Sequence, residues 1–252
     1  MDIRLVVTDL DGTLLRDDKS ISDYTRSVVQ QVRARGTKVA CATARGRVEV
    51  VVPNDMLDAQ ISGNGAITSI DGKIIHQVLV PYRAARPLLM ACHERGMLIV
   101  ASIGGKWYAM AEELDDRDFG VKHEIVDFSV FNIDTEKVWV WIDSPEDLDF
   151  MRSHLSDELY LQVSRDGLAM VMHRGATKSN AALALAQHWG ITPSQIVAFG
   201  DDLNDIDMLK ACGTGVVMGN AIDKVKAISA IHADTNENNG VAKWLDVNIL
   251  NI

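Results

Sequence analysis

The stretch that most restricts the fold is Ile3-Arg4-Leu5-Val6-Val7-Thr8, an almost unbroken apolar, β-branched run that leads into Asp9-Leu10-Asp11-Gly12-Thr13. A run that is apolar on both of its alternating faces reads as a strand buried from two sides, the habit of parallel sheets sandwiched between helices. Two carboxylates then stand where the strand stops. In an open parallel sheet, ligands bind beyond the carboxyl ends of the strands. Gly12 lets the backbone turn there, and the Thr13 hydroxyl can hydrogen-bond across the turn.

The same rhythm continues at both ends of the chain. Ser22 can cap a helix that runs to about Arg35 and stops at Gly36, and residues 37–43 form a second buried strand. A helical stretch is expected from near Arg45 to just before Pro53. Residues 59–66 read as a third short strand leading into a glycine-rich turn, and residues 66–77 as a hairpin turning at Asp71-Gly72. After about residue 80 the pattern changes. Pro81 and Pro87 flank the start of a helix at about 84–95 that ends at Gly96. Residues 97–102, 106–111, 137–143, 159–164 and 168–173 are strand candidates with two helices interleaved, one beginning near Ser144-Pro145. Tight turns stand at Gly104-Gly105 and Asp166-Gly167. From Thr177 the first rhythm returns, with a helix to Trp189 stopped by Gly190, a strand at 195–200, a helix opening within 202–211, a strand at 214–218, and helices from about Ala221 and near Val241. The expected fold is α/β, with a parallel-sheet core of residues 1–80 and 177–252 and an inserted α+β domain of residues 81–176. A chain of 252 residues accommodates two such domains comfortably.

Composition narrows the function. A formal net charge of -10 repels nucleic-acid backbones and anionic membranes, so neither is an expected partner. It repels an anionic substrate as well, so a phosphate would need positive charge supplied at the site itself. No apolar stretch approaches the ~18 residues of a membrane span, and the N-terminus enters a strand with no signal peptide ahead of it. Cys41, Cys92 and Cys212 are odd in number and have no metal-ligand spacing. A disulfide framework is not expected, and a reducing cytoplasm is. The oligomeric state leaves no mark in the sequence.

If the strands ending at Thr8, Ala42 and Gly200 are neighbours, Asp9, Asp11, Thr43, Asp201 and Asp202 converge on one edge. Like charges gathered in this way are costly unless a cation sits among them, and hard carboxylate oxygens with no His or Cys nearby suit Mg²⁺. One aspartate can serve as metal ligand and as nucleophile toward phosphorus, giving an aspartyl-phosphate. The other, two residues on, can protonate the leaving oxygen and then take a proton from water. A lone Asp-x-Asp also occurs in acidic loops and in glycosyltransferase metal sites; directly after a buried strand and before Gly-Thr it is far more specific.

Asp9-Leu-Asp-Gly-Thr-Leu-Leu15 resembles the first motif of the haloacid dehalogenase (HAD) superfamily of phosphohydrolases. Three further segments resemble its other motifs, in order: residues 41–45 (CATAR), 175–183 (GATKSNAAL) and 200–209 (GDDLNDIDML). The insert between the second and third motifs, and residues 61–66 (ISGNGA) before it, are similar to the Cof-type branch with its C2 cap. The resemblance implies a Rossmann-like core, with Asp9 as nucleophile and Asp11 as general acid/base. It implies Mg²⁺ held by the Asp9 carboxylate, the Asp11 backbone carbonyl and Asp201, with Asp202 and Asp205 supporting those ligands. It places Thr43, the Ala44 backbone N–H, Lys178 and Asn204 on the phosphate, with Lys178 also tying down Asp9. The implied activity is Mg²⁺-dependent hydrolysis of small-molecule phosphate esters, sugar phosphates or cofactor and nucleotide phosphates, beneath a cap that excludes bulk water. A phosphomutase of the same fold and a non-catalytic phosphate-binding regulatory protein are the alternatives.

Ala44 departs from the glycine common at its place in this branch and requires a negative φ there, and Ser179 stands where glycine is frequent. Arg45 is expected to support the second motif by a salt bridge rather than to face phosphate. Asn64-Gly65 reads equally as a plain turn or as an approach to the phosphate site. His173 is expected to be structural, and residues 112–118 (EELDDRD) to be a solvated acidic face. Trp139 and Trp141 share one strand face, expected against the helices of the insert, while Trp107 and Tyr108 are candidates for a mobile lip.

Overall fold

A computed structural model describes residues 2–46, 48, 51–53, 55–110, 122–163 and 167–251. In chain order the elements are β1 (Leu5–Thr8), α1 (Asp23–Ala34), β2 (Lys38–Ala42), β3 (Ala59–Ser62), β4 (Ile67–Ile70), β5 (Lys73–Gln77) and α2 (Tyr82–Glu94). Then come β6 (Ile99–Ile103), β7 (Lys106–Ala109), β8 (His123–Ile125), β9 (Lys137–Trp141), α3 (Pro145–Ser153), β10 (Leu159–Val163) and β11 (Leu168–His173). The chain finishes with α4 (Lys178–His188), β12 (Ile196–Gly200), α5 (Ile206–Ala211), β13 (Thr214–Val217), α6 (Asp223–Lys226) and α7 (Gly240–Leu245). Residues 1–77 with 177–252 make one compact unit and residues 78–176 another. No helix among the described residues is long and apolar enough to cross a membrane.

The first unit is built on a seven-stranded sheet in the order β13-β12-β1-β2-β3-β4-β5. β1 lies at its centre, parallel to both β12 and β2. Every residue of β1 is buried, which requires apolar cover on both faces of the strand. That cover includes Val28, Val29 and Val32 of α1 and Ala181, Ala182, Leu185 and Ala186 of α4. Thr8 stands level with Cys41 of β2 and Phe199 of β12. The chain therefore leaves all three strands at one edge and at nearly one height. The β4–β5 hairpin closes the other side of the sheet, antiparallel, through Asp71 (φ 48) and Gly72 (φ 73). Two successive left-handed residues are what a tight hairpin turn demands.

The helix expected from near Arg45 to just before Pro53 is not seen among the described residues. Among the described residues of 45–53 there is a single hydrogen-bonded turn, in which the Val52 N–H reaches the Val48 carbonyl at 3.1 Å. The sequence here is rich in valine, a weak helix former, and the segment serves to bury Val48 and Val52 in the core.

The second unit carries a six-stranded sheet in the order β10-β11-β9-β6-β7-β8, antiparallel except for β7 with β8. β8 lies outside the sequence-based strands; at three residues with two exposed, it shows no apolar alternation. Of the two helices expected between these strands, α3 is present, capped by Ser144 and Asp147, and no second one occurs among the described residues. Helix α2 starts earlier than expected, at Tyr82, whose N–H donates to the Asp134 carboxylate at 2.8 Å. Pro87 therefore lies inside the helix rather than at its start. The Asp166-Gly167 turn and the 112–118 acidic face fall outside the fully described residues.

Residues of α2 and Met151 of α3 cluster with Ala101, Val138, Val140, Ala169 and Val171 on one face of this sheet. Trp139 and Trp141 belong to a separate cluster with Val100, Ala109 and Leu168. This corrects the expectation that the two tryptophans meet the helices, since β9 alternates and Val138 and Val140 take that face. Nor do Trp107 and Tyr108 form a lip. Trp107 stacks on Trp139 with centroids 5.7 Å apart, and Tyr108 is buried against Phe131.

The cap of α1 offers a direct check on the first unit. The Ser22 Oγ accepts from the Thr25 N–H at 3.0 Å and donates to the Asn239 Oδ1 at 2.7 Å. Replacing Ser22 by Ala removes the cap and leaves Asn239 short of a donor. We expect a loss of about 1–2 kcal/mol, read as a lower urea midpoint with an unchanged slope.

Candidate active site

Asp9 extends the central strand by one hydrogen bond, its N–H donating to the Phe199 carbonyl at 3.0 Å. Its side chain is nearly buried. Lys178, the first residue of α4 after its Thr177 cap, extends a buried ammonium between two carboxylates, 2.6 Å from the Asp9 Oδ1 and 2.6 Å from the Asp205 Oδ1. The other oxygen of Asp205 accepts from the backbone N–H groups of Asp201 and Asp202, each at 3.0 Å. Asp205 thereby shapes the loop that presents Asp201. Gly200 is needed for this, because a Cβ there would lie 2.4 Å from the Asp205 Cβ. Thr13 donates to the Asp201 Oδ1 at 2.7 Å. Gly12, at φ +81, passes so close that a Cβ would meet the Asp201 Oδ2 at 2.4 Å.

Asp9, Asp201 and Asp205 each bring an oxygen within 4.8 Å of the others. One ammonium does not balance three carboxylates, and burial together with the excess negative charge raises the pKa of Asp9 and of Asp201. Burial, reinforced by Asp205 and Asp201 and opposed by Lys178, pushes Asp9 upward. Burial also pushes Asp201 up, to about 6, with Asp205 and Asp202 adding to it. Burial would lower Lys178, but Asp205 and Asp9 outweigh it and hold the ammonium charged. A divalent cation relieves this imbalance, and an all-oxygen donor set fits Mg²⁺. Because the oxygens of Asp205 are already engaged, Asp9 and Asp201 are the carboxylates best able to turn toward the ion. Asp202 turns away, capping the Leu203 N–H at 2.7 Å.

Asp11 has a different environment. Arg45 grips both its oxygens, Nε to Oδ2 at 2.6 Å and Nη2 to Oδ1 at 2.7 Å, and Lys19 reaches Oδ1 at 2.8 Å. Burial alone would raise this carboxyl, but the two cations outweigh it and hold it at about 2. Arg45 thus has the supporting role expected of it. Its N–H donates to the Thr43 Oγ1 at 3.1 Å, which ties the second loop to the same group. Among the described residues the left-handed non-glycines are Lys19, Asn64, Asp71 and Asn239, so Ala44 meets its requirement for a negative φ. Asn204 donates to the Asn64 Oδ1 at 3.1 Å, which joins the fourth loop to the third. The His173 Nδ1 accepts from the Gly175 N–H at 2.9 Å, a structural bond within its turn.

Sequence reasoning missed Lys19 and three asparagines. Asn220 donates to the Gly12 carbonyl at 2.8 Å, and Asn236 to the Leu15 carbonyl at 3.0 Å. Asn239 accepts from Arg16 at 3.2 Å. Together they pin the segment after β1 to the far end of the chain. The one available signal was the amide-rich run Asn236-Glu237-Asn238-Asn239 directly before Gly240.

Comparison with known proteins agrees with this geometry. Residues 6–245 match the haloacid dehalogenase-like hydrolase family. The 5-amino-6-(5-phospho-D-ribitylamino)uracil phosphatase YitU of Bacillus subtilis is 30% identical over 266 residues, covering 96% of each chain. The HMP-PP phosphatase of Klebsiella pneumoniae is 31% identical over 237 residues, covering 89% of this chain and 87% of its own. Among solved structures, BT1666 of Bacteroides thetaiotaomicron, a HAD-superfamily phosphatase, superposes with a TM-score of 0.83 at 25% identity, covering 97% of this chain and 94% of its own.

The charge imbalance makes a testable prediction. An aspartate whose folded pKa is raised stabilises the fold fully below its unfolded value, near 3.8, and loses that contribution as pH rises through the folded value, about 6 for Asp201 and higher still for Asp9. With chelator present, thermal stability should fall as pH rises through this window. Mg²⁺ should restore it, more at pH 8 than at pH 5; equal Mg²⁺ shifts at both would contradict the assignment. The chain belongs to the haloacid dehalogenase-like hydrolase family, within its Cof-type phosphatases, and is a Mg²⁺-dependent phosphohydrolase.

Proposed function

We propose that the chain hydrolyses small phosphorylated metabolites with Asp9 as the nucleophile. The observation that carries this reading is the Asp9 carboxylate at the end of the central strand, fixed by Lys178 at 2.6 Å and set beside Asp201. In the first half-reaction an Asp9 oxygen attacks phosphorus as the bond to the leaving oxygen breaks, giving an aspartyl-phosphate. In the second, water attacks that phosphorus, inorganic phosphate departs and the Asp9 carboxylate is restored. Asp9, Asp201 and the Asp11 carbonyl would hold Mg²⁺, which would supply positive charge for the phosphoryl oxygens. Lys178 adds to that charge, while Thr43, the Ala44 N–H and Asn204 donate to the phosphoryl oxygens.

Asp11 carries the protons. Held at about 2, it is a carboxylate at neutral pH, the form that takes a proton from the attacking water. To protonate the leaving oxygen beforehand, it must first part from one of its two cations. The thiol of Cys41, one strand over, is buried and pushed up to about 12, so it does not compete as a nucleophile.

The substrate is a small phosphate ester rather than a nucleic acid. Relatives named for an aminouracil ribityl phosphate and for HMP-PP support cofactor- or nucleotide-like phosphates, with sugar phosphates beside them. Residues 81–176 act as the C2-type cap that chooses among leaving groups, and a cytoplasmic setting suits the three free, buried thiols.

The test is phosphate release from a panel of phosphorylated metabolites, with Mg²⁺ and with chelator. Asp9→Asn should lower kcat by at least about 10³-fold, because it removes the attacking oxygen's charge. Retained turnover in Asp9→Asn would remove the nucleophile assignment. Transfer of label between positions of one sugar, without release, would point to a mutase instead.

A further inference from the structure

The turn Gly63–Gly65, a single 3-10 turn between β3 and β4, meets three of the loops that the proposed function assigns to phosphate. The Gly63 N–H donates to the Arg45 carbonyl and the Asn64 N–H to the Thr43 carbonyl, each at 2.9 Å. Gly65 lies so close to the Thr177 backbone, just before Lys178, that a Cβ would stand 2.2 Å from the Thr177 carbonyl oxygen. The Asn64 Oδ1 accepts from the Asn204 amide at 3.1 Å.

Asn64 is the exception within this turn. Its φ is 59, in the left-handed region, and the glycines on either side also have positive φ. Glycine would sit at this position without strain, whereas any side chain adds some. Asn64 nevertheless keeps a side chain, 2% exposed and aimed at the Asn204 loop. Strain retained in a buried position marks a place where the side chain holds something.

We infer that Asn64 is a positioning residue for phosphoryl recognition. Its carbonyl oxygen takes one N–H of the Asn204 amide, and the other N–H of that same nitrogen is left to meet a phosphoryl oxygen. Its backbone N–H holds the Thr43 carbonyl. The distance between the Thr43 and Asn204 sides of the phosphate cradle is thus set by one residue. This rests on the assignment of Thr43 and Asn204 to phosphate.

The test uses Asn64→Gly, which keeps the turn, relieves its strain and deletes only the side chain. Measured beside it are Asn204→Ala, the double variant and Asp9→Asn. The readouts are KM, kcat, competitive inhibition by inorganic phosphate, the Mg²⁺ activation constant and the thermal midpoint. For Asn64→Gly we expect KM and the phosphate inhibition constant to rise roughly tenfold. The Mg²⁺ constant should stay unchanged, and the thermal midpoint should not fall. The double variant should be no worse than Asn204→Ala alone, because the two residues act through one bond. Asn64→Gly within twofold of the parent on both constants would make the residue a plain turn and overturn the inference. Independent, multiplicative losses in the double variant would overturn it as well. If the parent releases no phosphate, or Asp9→Asn stays active, the phosphatase mechanism itself fails and this inference falls with it.

Discussion

A buried lysine between two buried aspartates is the contact on which the catalytic edge depends. Burying Lys178 is tolerable only because Asp9 and Asp205 accept from it at 2.6 Å each, and removing any one of the three would leave charge stranded away from water. The same contact fixes the chain on either side. Asp205, anchored by the lysine, draws in the N–H groups of Asp201 and Asp202. Asp201 takes the Thr13 hydroxyl and leaves no room for a side chain at Gly12. The loops after β1 and β12 and the start of α4 are thus locked to one another, and the neighbouring carboxylates keep a deficit that a divalent cation would fill.

The fold's central logic was legible from its first strand. An apolar run buried on both sides, with acids at its end, needs neighbours that also end in polar loops, and the strand order supplies β2 and β12 on either side. Ser22, Gly36 and Asp71-Gly72 acted as their local chemistry dictates. Where local signals failed, a longer-range contact decided. Val48 and Val52 went into the core, and no helix is seen among the described residues around them. Asp134, fifty-two positions downstream, started α2 ahead of Pro87. The Trp139 face was chosen by Trp107 on a different strand.

The candidate site divides in the same way. Asp9 and Asp201 were legible because each stands at a strand end, where position brings them together, whereas Lys178 and Asp205 were reached only through the motifs that their segments resemble. Lys19, Asn220 and Asn236 were not. Each holds a group far away in sequence, Asn236 reaching Leu15 across 221 positions, and no period or motif records such a pairing. Asn64 lay between these cases. Its place beside two glycines marked a turn, but only the φ and the bond to Asn204 separate a working side chain from a spacer.

The placement of Cys41 has a consequence for how such an enzyme can be silenced. Thr8, directly before Asp9, is level with this thiol on the adjacent strand, yet the thiol is fully buried and held at about 12. Peroxide and related oxidants attack thiolates, and enzymes that use one as a nucleophile are silenced by them. Here the proposed reacting atom is a carboxylate oxygen, which those oxidants do not touch, and the thiol beside Thr8 is buried and not readily ionised. Oxidation of that thiol is therefore no direct route to silencing the proposed nucleophile.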